Sequence, residues 1–337
     1  MARVEQLLKP TAKGLFCEAG DFYVDPVAPV ARAVVTHGHA DHARAGHDAV
    51  LATRETLAIM AARYGEGFAR LREPVGYGET VTRNGVRIRL APAGHVLGSA
   101  QAVIEAEGRR VVVSGDYKRR RDPTCPAFEP VACDVFITEA TFALPVFRHP
   151  DDGAEIARLL RSRADFPDRA HLVGAYALGK AQRIIRLLRE AGYDRTIYIH
   201  GALEKLCALY ETLGVALGPL AAATREAGAP ADFAGEIVIA PPASFADRWA
   251  RRFADPVACF ASGWMGVRGR ARQRGVELPL VISDHADWDE LTATIREVGA
   301  GETLVTHGRD DALLRWAEIE GLAARPLTIA GYDDEDD

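Results

Sequence analysis

Short apolar runs closed by Gly, Pro or Asp recur from residue 22 to about 145: Phe22-Tyr23-Val24, Ala33 to Thr36, Val86 to Leu90, Ala102 to Ala106, Arg110 to Ser114 and Val135 to Thr138. Runs of this length, rich in β-branched residues, predict strands. Helical periodicity appears between Thr53 and Arg63, so this stretch reads as a sheet-rich half with helices outside it. From about 150 to 275 the pattern changes. Helical stretches (Ala154 to Arg163, Ala181 to Ala191, Ala202 to Leu213) alternate with strands (His171 to Tyr176, Thr196 to His200, Glu236 to Ala240, Val257 to Ala261), the pattern of a smaller parallel α/β unit. Leu278 to Ser283, a helix from about Asp287 to Val298, Thr303 to Thr306 and a helix from about Asp310 to Leu322 then resume the first style. The expected division is a first domain over 1–145, an insertion over 146–275, a return to the first domain over 276–330, and a tail over 331–337. No internal repeat is present.

At 337 residues the chain can hold real cores in two domains, and its 48% hydrophobic content is that of a globular protein. Met1 to Gln6 carry charge but no apolar run, and no stretch approaches the roughly 20 apolar residues of a membrane span. The expectation is a cytoplasmic protein without a membrane partner. Five scattered cysteines without a C-x-x-C pair imply neither a disulfide framework nor a zinc ribbon. The net charge of −6 argues against a nucleic-acid partner until it is located: Asp333 to Asp337 supply five of those charges in what reads as a disordered tail. Positive charge is concentrated in Lys118-Arg119-Arg120-Arg121, in Arg183, Arg186 and Arg189, and in Arg268, Arg270, Arg272 and Arg274. Such runs are commonly solvated faces. The first and last lie next to candidate site motifs in sequence, where they could meet phosphates.

The densest chemistry is Thr36-His37-Gly38-His39-Ala40-Asp41-His42, which follows the strand Ala33 to Thr36. Alternation along a strand lets His37 and His39 face one point while Asp41 and His42, where the chain turns, face a second. That suits two cations side by side, and imidazole with carboxylate but no thiolate suits Zn²⁺, Mn²⁺ or Fe²⁺. The alternative is a surface loop that is histidine-rich by chance. Three further strand ends repeat the arrangement: His95 in the glycine-flanked Gly94 to Gly98 loop, Asp116 after Val111 to Ser114, and His307 after Leu304 to Thr306.

These residues resemble the metallo-β-lactamase superfamily, and within it the β-CASP nucleases. His37, His39, Asp41 and His42 match the H-x-H-x-D-H motif, and His95, Asp116 and His307 match the later ligands. Glu139 in Thr138-Glu139-Ala140-Thr141-Phe142 matches the acidic position that opens the β-CASP insertion, and His285 in Ser283-Asp284-His285-Ala286-Asp287 the histidine that closes it. Together with Asp21 to Pro26, the matching segments run to about residue 308 and are most similar to the bacterial DNA-ligase-associated exonuclease family. One departure is Ala140, where many relatives carry serine.

The resemblance implies an α/β fold, an αββα sandwich with an inserted smaller α/β β-CASP domain. It implies two divalent metal ions, Zn or Mn: His37, His39 and His95 on one, Asp41, His42 and His307 on the other, and Asp116 between them, with water activated to hydroxide as nucleophile. His285 is then the general acid and Glu139 its orienting partner. The implied function is hydrolysis of DNA, single-stranded or at ends, in repair, in association with a DNA ligase or helicase. An RNA-processing nuclease, a catalytically silent scaffold and a small-molecule hydrolase are the alternatives; intact ligands argue against the scaffold, and Glu139 and His285 against the small-molecule enzyme. Lys118 and Lys180 are candidate phosphate contacts, Lys180 through the turn Tyr176 to Lys180 at a helix start. Asp25 is expected to anchor the histidine loop by hydrogen bonds, His47 to lie at the surface or behind the ligands, and His149, His171 and His200 to serve packing.

Overall fold

A computed structural model describes residues 7–224, 233–308 and 310–329; the acidic tail lies outside the described residues. Two compact units are present, one formed by residues up to Arg148 together with those from His285 onward, the other by His149 to Asp284.

The first unit opens with β1 (Lys9–Thr11), β2 (Gly14–Cys17), β3 (Phe22–Val24), β4 (Arg32–Val34), β5 (His47–Ala52), α1 (Arg54–Tyr64) and β6 (Ala69–Pro74). The six strands form one sheet in chain order, antiparallel from β1 to β3 and parallel from β3 to β6. Next come β7 (Thr80–Arg83), β8 (Val86–Pro92), β9 (Ala100–Ala106), β10 (Arg109–Val113) and β11 (Val135–Ala140).

The second unit contains α2 (Asp152–Asp165), β12 (His171–Gly174), α3 (Lys180–Glu190), β13 (Ile197–Ile199), α4 (Gly201–Thr212), β14 (Leu220–Ala222), β15 (Ile237–Ala240), β16 (Val257–Ala261), α5 (Arg268–Gln273) and β17 (Leu278–Leu280). Its sheet has the order β14-β13-β15-β12-β16-β17 and is parallel throughout.

The chain then returns to the first unit with α6 (Trp288–Val298), β18 (Glu302–Gly308), α7 (Asp311–Ile319) and β19 (Ala324–Pro326), completing a second sheet of order β19-β18-β11-β10-β9-β8-β7.

Side-chain alternation explains why the first unit stacks as it does. Val34, Val111, Val113, Val135 and Ile137 fill the space between the two sheets with Leu15, Val24 and Ile104. Their neighbours face outward. Ala33 and Val35 pack with Leu57 and Met60 of α1, while Val112 and Phe136 pack with Leu291, Ile295 and Leu313 of α6 and α7. The result is the αββα order of layers that the resemblance implies. Each fully buried aliphatic side chain contributes about 1.5–3 kcal/mol, so both faces of both sheets drive the stacking.

The unit boundaries differ from those expected. β17 pairs in parallel with β16, which carries 278–280 into the second unit's sheet and moves the return point to His285. Among the described residues no helix is long and apolar enough to cross a membrane.

Candidate metal centre

The histidine loop leaves β4 and is fixed at its root by Asp25. The Asp25 carboxylate accepts from Thr36 N–H at 2.8 Å and from Thr36 Oγ1 at 2.6 Å, and its Oδ2 lies 2.8 Å from His42 Nδ1. Asp25 adopts φ 43°, a left-handed conformation that costs energy for a non-glycine residue. Gly115, at φ 56°, sits where a Cβ would come within 2.8 Å of Thr36 Oγ1. Its lack of a side chain lets the Asp116 turn close onto the loop.

Asp116 lies between two sets of side chains. Its Oδ2 is 3.4 Å from His37 Nε2 and 3.7 Å from His95 Nε2, and its Oδ1 is 3.5 Å from His42 Nε2. His95 Nε2 and His39 Nδ1 are 3.0 Å apart, and Asp41 Oδ2 is 3.4 Å from His42 Nε2. Ligand-capable atoms of His37, His39, His95 and Asp116 all fall within 4.8 Å of one another, as do those of His37, Asp41 and His42. His37 therefore reaches both groups. His307, also in left-handed backbone at φ 56°, stands with its ring 5.4 Å from that of His42, beside the second group.

The charges of the cluster suit a divalent cation. Burial alone would lower His42, but Asp116, Asp41 and Asp25 together raise it well above the ordinary histidine value. Burial would likewise raise Asp116 and Asp41, and neighbouring His42 outweighs it and holds both acids low. His95 is pushed well below its usual value by burial, reinforced by His285, His37 and His39; His307 falls to about 4 by burial and His42. Neutral imidazoles and ionised carboxylates are the forms that ligate metal, so His95, His307, Asp41 and Asp116 already hold the required form and His42 must release its proton when a cation binds. Buried His37 Nε2 and Asp41 Oδ1 make no hydrogen bond among the described residues, which leaves both lone pairs available. The donor set fits the Zn²⁺, Mn²⁺ or Fe²⁺ class.

Beside Asp116 stands the pair of β11 and the loop before α6. Glu139 Oε2 lies 2.9 Å from His285 Nδ1 and accepts from Thr141 Oγ1 at 2.6 Å; Glu139 Oε1 accepts from Tyr117 N–H at 2.7 Å. Glu139 is fully buried, whereas His285 keeps 12% of its side chain exposed, and its ring is 4.7 Å from that of His95.

Helix α1 serves two of the loops. At its N-terminus Thr53 and Thr56 hydroxyls both donate to Gly98 O, at 2.7 and 2.9 Å, while Ser99 Oγ accepts from His95 N–H at 3.1 Å. At its C-terminus Arg63 donates to Gly38 O at 2.5 Å, the carbonyl between His37 and His39. The sequence reading missed these contacts. Periodicity announces the helix, but nothing local marks Arg63 or Thr56 as partners of loops far along the chain.

The two candidate phosphate lysines are buried rather than presented on a solvated face. Lys118 has no exposed surface, and its neighbours Arg119 and Arg120 pair with Glu297, Asp287 and Glu290 to hold α6. In the second unit Lys180 Nζ lies 3.4 Å from Asp284, and buried Arg183 donates to Ser283 O at 2.8 Å and pairs with Asp152. Arg186 and Arg189 donate to backbone carbonyls. His47 is buried and its Nδ1 accepts from Val30 N–H; His171 is in the second unit's core, and His200 caps α4.

Residues 14–170 match the metallo-beta-lactamase superfamily. The chain is similar to a probable DNA ligase of Opitutus terrae, 30% identical over 92% of this chain and 30% of that protein. It is similar also to endoribonuclease ysh1 of Emericella nidulans, 36% identical over 42% of this chain and 16% of that protein. Cleavage and polyadenylation specificity factor subunit 3 of Dictyostelium discoideum is 32% identical over 40% of this chain and 18% of its own length. The chain thus spans less than a third of these curated relatives. In fold it resembles a protein of unknown function from Enterococcus faecalis V583, with a TM-score of 0.59 and 13% identity, covering 90% of this chain and 80% of that one.

Proposed function

The chain carries a metallo-β-lactamase superfamily domain, and from that premise we propose that it is a metal-dependent nuclease hydrolysing phosphodiester bonds of DNA, single-stranded or at ends, in repair. The observation that carries the reading is the Glu139–His285 pair, 2.9 Å apart, beside the histidine–aspartate cluster. A hydrolase that only needed to activate water would have no use for it.

His37, His39 and His95 would hold one cation, Asp41, His42 and His307 the other, with Asp116 shared. Bound there, divalent cations would neutralise phosphate charge and lower the pKa of water toward neutrality. The rest falls to the protein. Glu139 is fixed by Tyr117 N–H and Thr141 Oγ1 and turns its Oε2 to His285 Nδ1. That hydrogen bond puts a proton on Nδ1 and stabilises the doubly protonated ring, so Nε2 can give its proton to the leaving oxygen as the P–O bond breaks.

Similarity over nearly the whole chain to a protein named a probable DNA ligase favours DNA and work beside a ligase. The endoribonuclease and cleavage-factor names of two relatives favour RNA processing as a second reading. The test supplies the purified chain with Mn²⁺ or Zn²⁺ and end-labelled single-stranded DNA, duplex DNA and RNA of one sequence, beside Asp41→Ala. Cleavage of RNA alone would overturn the DNA reading. Activity that survives Asp41→Ala would overturn the site.

A further inference from the structure

The second unit has a feature that the proposed chemistry does not use. Because its sheet is parallel throughout, all its strands end at one edge. In open α/β sheets ligands sit beyond that carboxyl edge, where the chain reverses its direction of travel across the sheet. β15 and β16 flank β12 on its two sides, so the segments that follow them leave the sheet as near neighbours. β17 ends at this edge too, five residues before His285.

Both segments carry the same chemistry. After β15 comes Trp249 with Arg248 and Arg251, and the guanidinium of Arg252 lies 5.3 Å from the Trp249 ring. After β16 comes Trp264, with Arg270 3.9 Å from its ring, and Arg274 lies 4.8 Å from Phe260. Arg268 and Arg272 are one turn apart on α5, where like charges repel. No Asp or Glu occurs between Asp255 and Glu277 to relieve them. Arg248, Arg251, Arg268, Arg272 and Arg274 are exposed, and none has a carboxylate within 4 Å among the described residues. Three other arginines of the unit are matched with carboxylates: Arg158 with Glu155, Arg169 with Asp255 and Glu277, Arg195 with Glu236.

We propose that these two arginine–tryptophan segments bind a polynucleotide single strand, the guanidinium groups meeting phosphates and the indoles offering faces to bases. The proposal rests on the nuclease reading of the first unit for its choice of polyanion. Arginine and aromatic side chains placed together provide the two parts single-strand binding requires, charge for the backbone and π surface for the bases. By contrast, Arg119, Arg120, Arg183, Arg186 and Arg189 of the other two basic runs are taken up in contacts within the protein.

The test measures binding of a fluorescent oligonucleotide to the full chain in EDTA, where cleavage is absent, over a salt series. Arg268→Gln/Arg272→Gln/Arg274→Gln is compared with Arg248→Gln/Arg251→Gln and with a control, Arg296→Gln/Arg315→Gln/Arg325→Gln, that removes equal charge from the first unit. Three lost phosphate contacts should make the slope of log K against log salt shallower by about 2 and weaken binding about 100-fold at 0.1 M salt. The two-arginine variant should move the same way by less, and the control should match wild type. Equal slopes for wild type and both second-unit variants would overturn the proposal, as would a control that loses as much as the triple variant. Adding Mn²⁺ to wild type tests the nuclease reading separately: a strand bound but left uncut would overturn that reading and support this one.

Discussion

Asp25 satisfies three partners from one strained position, and its removal would strand the buried Thr36 N–H and loosen the His42 ring. Asp25→Ala should therefore weaken metal binding about 10- to 100-fold, read by calorimetric titration of the chelated protein with Zn²⁺. In the proposed roles His285 stands apart from the ligands, although its own ring, Glu139 and Asp116 are close enough together to hold a cation. Its replacement by alanine should lower kcat about 10²- to 10⁴-fold with metal content unchanged by mass spectrometry, and loss of a cation would show that it is a ligand instead. The ligand candidates were legible because strand ends followed by His or Asp leave a local trace in sequence. Arg63, 25 residues from the Gly38 carbonyl it holds, leaves none, since a helix surface arginine looks the same whether or not a loop lies beneath it.

α1 links two loops of the centre, so it is where disturbance of an element should reach the metals. Gly98 is in left-handed backbone at φ 83°, and a Cβ there would come within 2.7 Å of Thr56 N and of Glu55 Cβ. Gly98→Ala should push the His95 loop off the helix and lower zinc affinity and melting temperature together. Arg63→Ala should reduce affinity with little change in melting temperature, since Arg63 is exposed; Arg63→Lys should recover part of it. Equal affinity in wild type and Arg63→Ala would show that the Gly38 contact positions nothing. Central strands such as β10 and β11 were readable because apolar residues fill both of their faces. The edge strands β6 and β7 were not, because charged and hydroxyl residues dominate both and most of the apolar residues they do carry are left partly or wholly exposed, which copies a loop. β17 was assigned to the wrong sheet for a related reason: an apolar run predicts a strand but does not name its partner.

At the scale of the whole molecule, pH and chain connectivity matter most. Burial, reinforced by Arg163 and Arg169, holds His171 below its ordinary value, and its Nε2 lies 2.9 Å from Ser162 Oγ. An unfolded histidine titrates near 6.5. Between the two values only the unfolded chain takes the proton, so stability is full above about pH 6.5 and is lost as pH falls through it. The urea midpoint should drop from about pH 7.5 to about pH 5.5, and His171→Gln should flatten that drop; an equal drop in the variant would assign the effect to other groups. Connectivity has a different consequence. The candidate ligands all belong to the first unit, but Glu139 and His285 stand 146 residues apart in the chain, on either side of the second. Their hydrogen bond is the clasp of a closed loop. His307 too follows the insertion, so the second proposed group of ligands and the proposed proton donor both wait for the chain's return, whereas His37, His39, His95 and Asp116 all lie before it. A defect in the insertion should therefore be felt first in the half of the centre that the returning chain supplies, while the half delivered before it keeps its side chains in place.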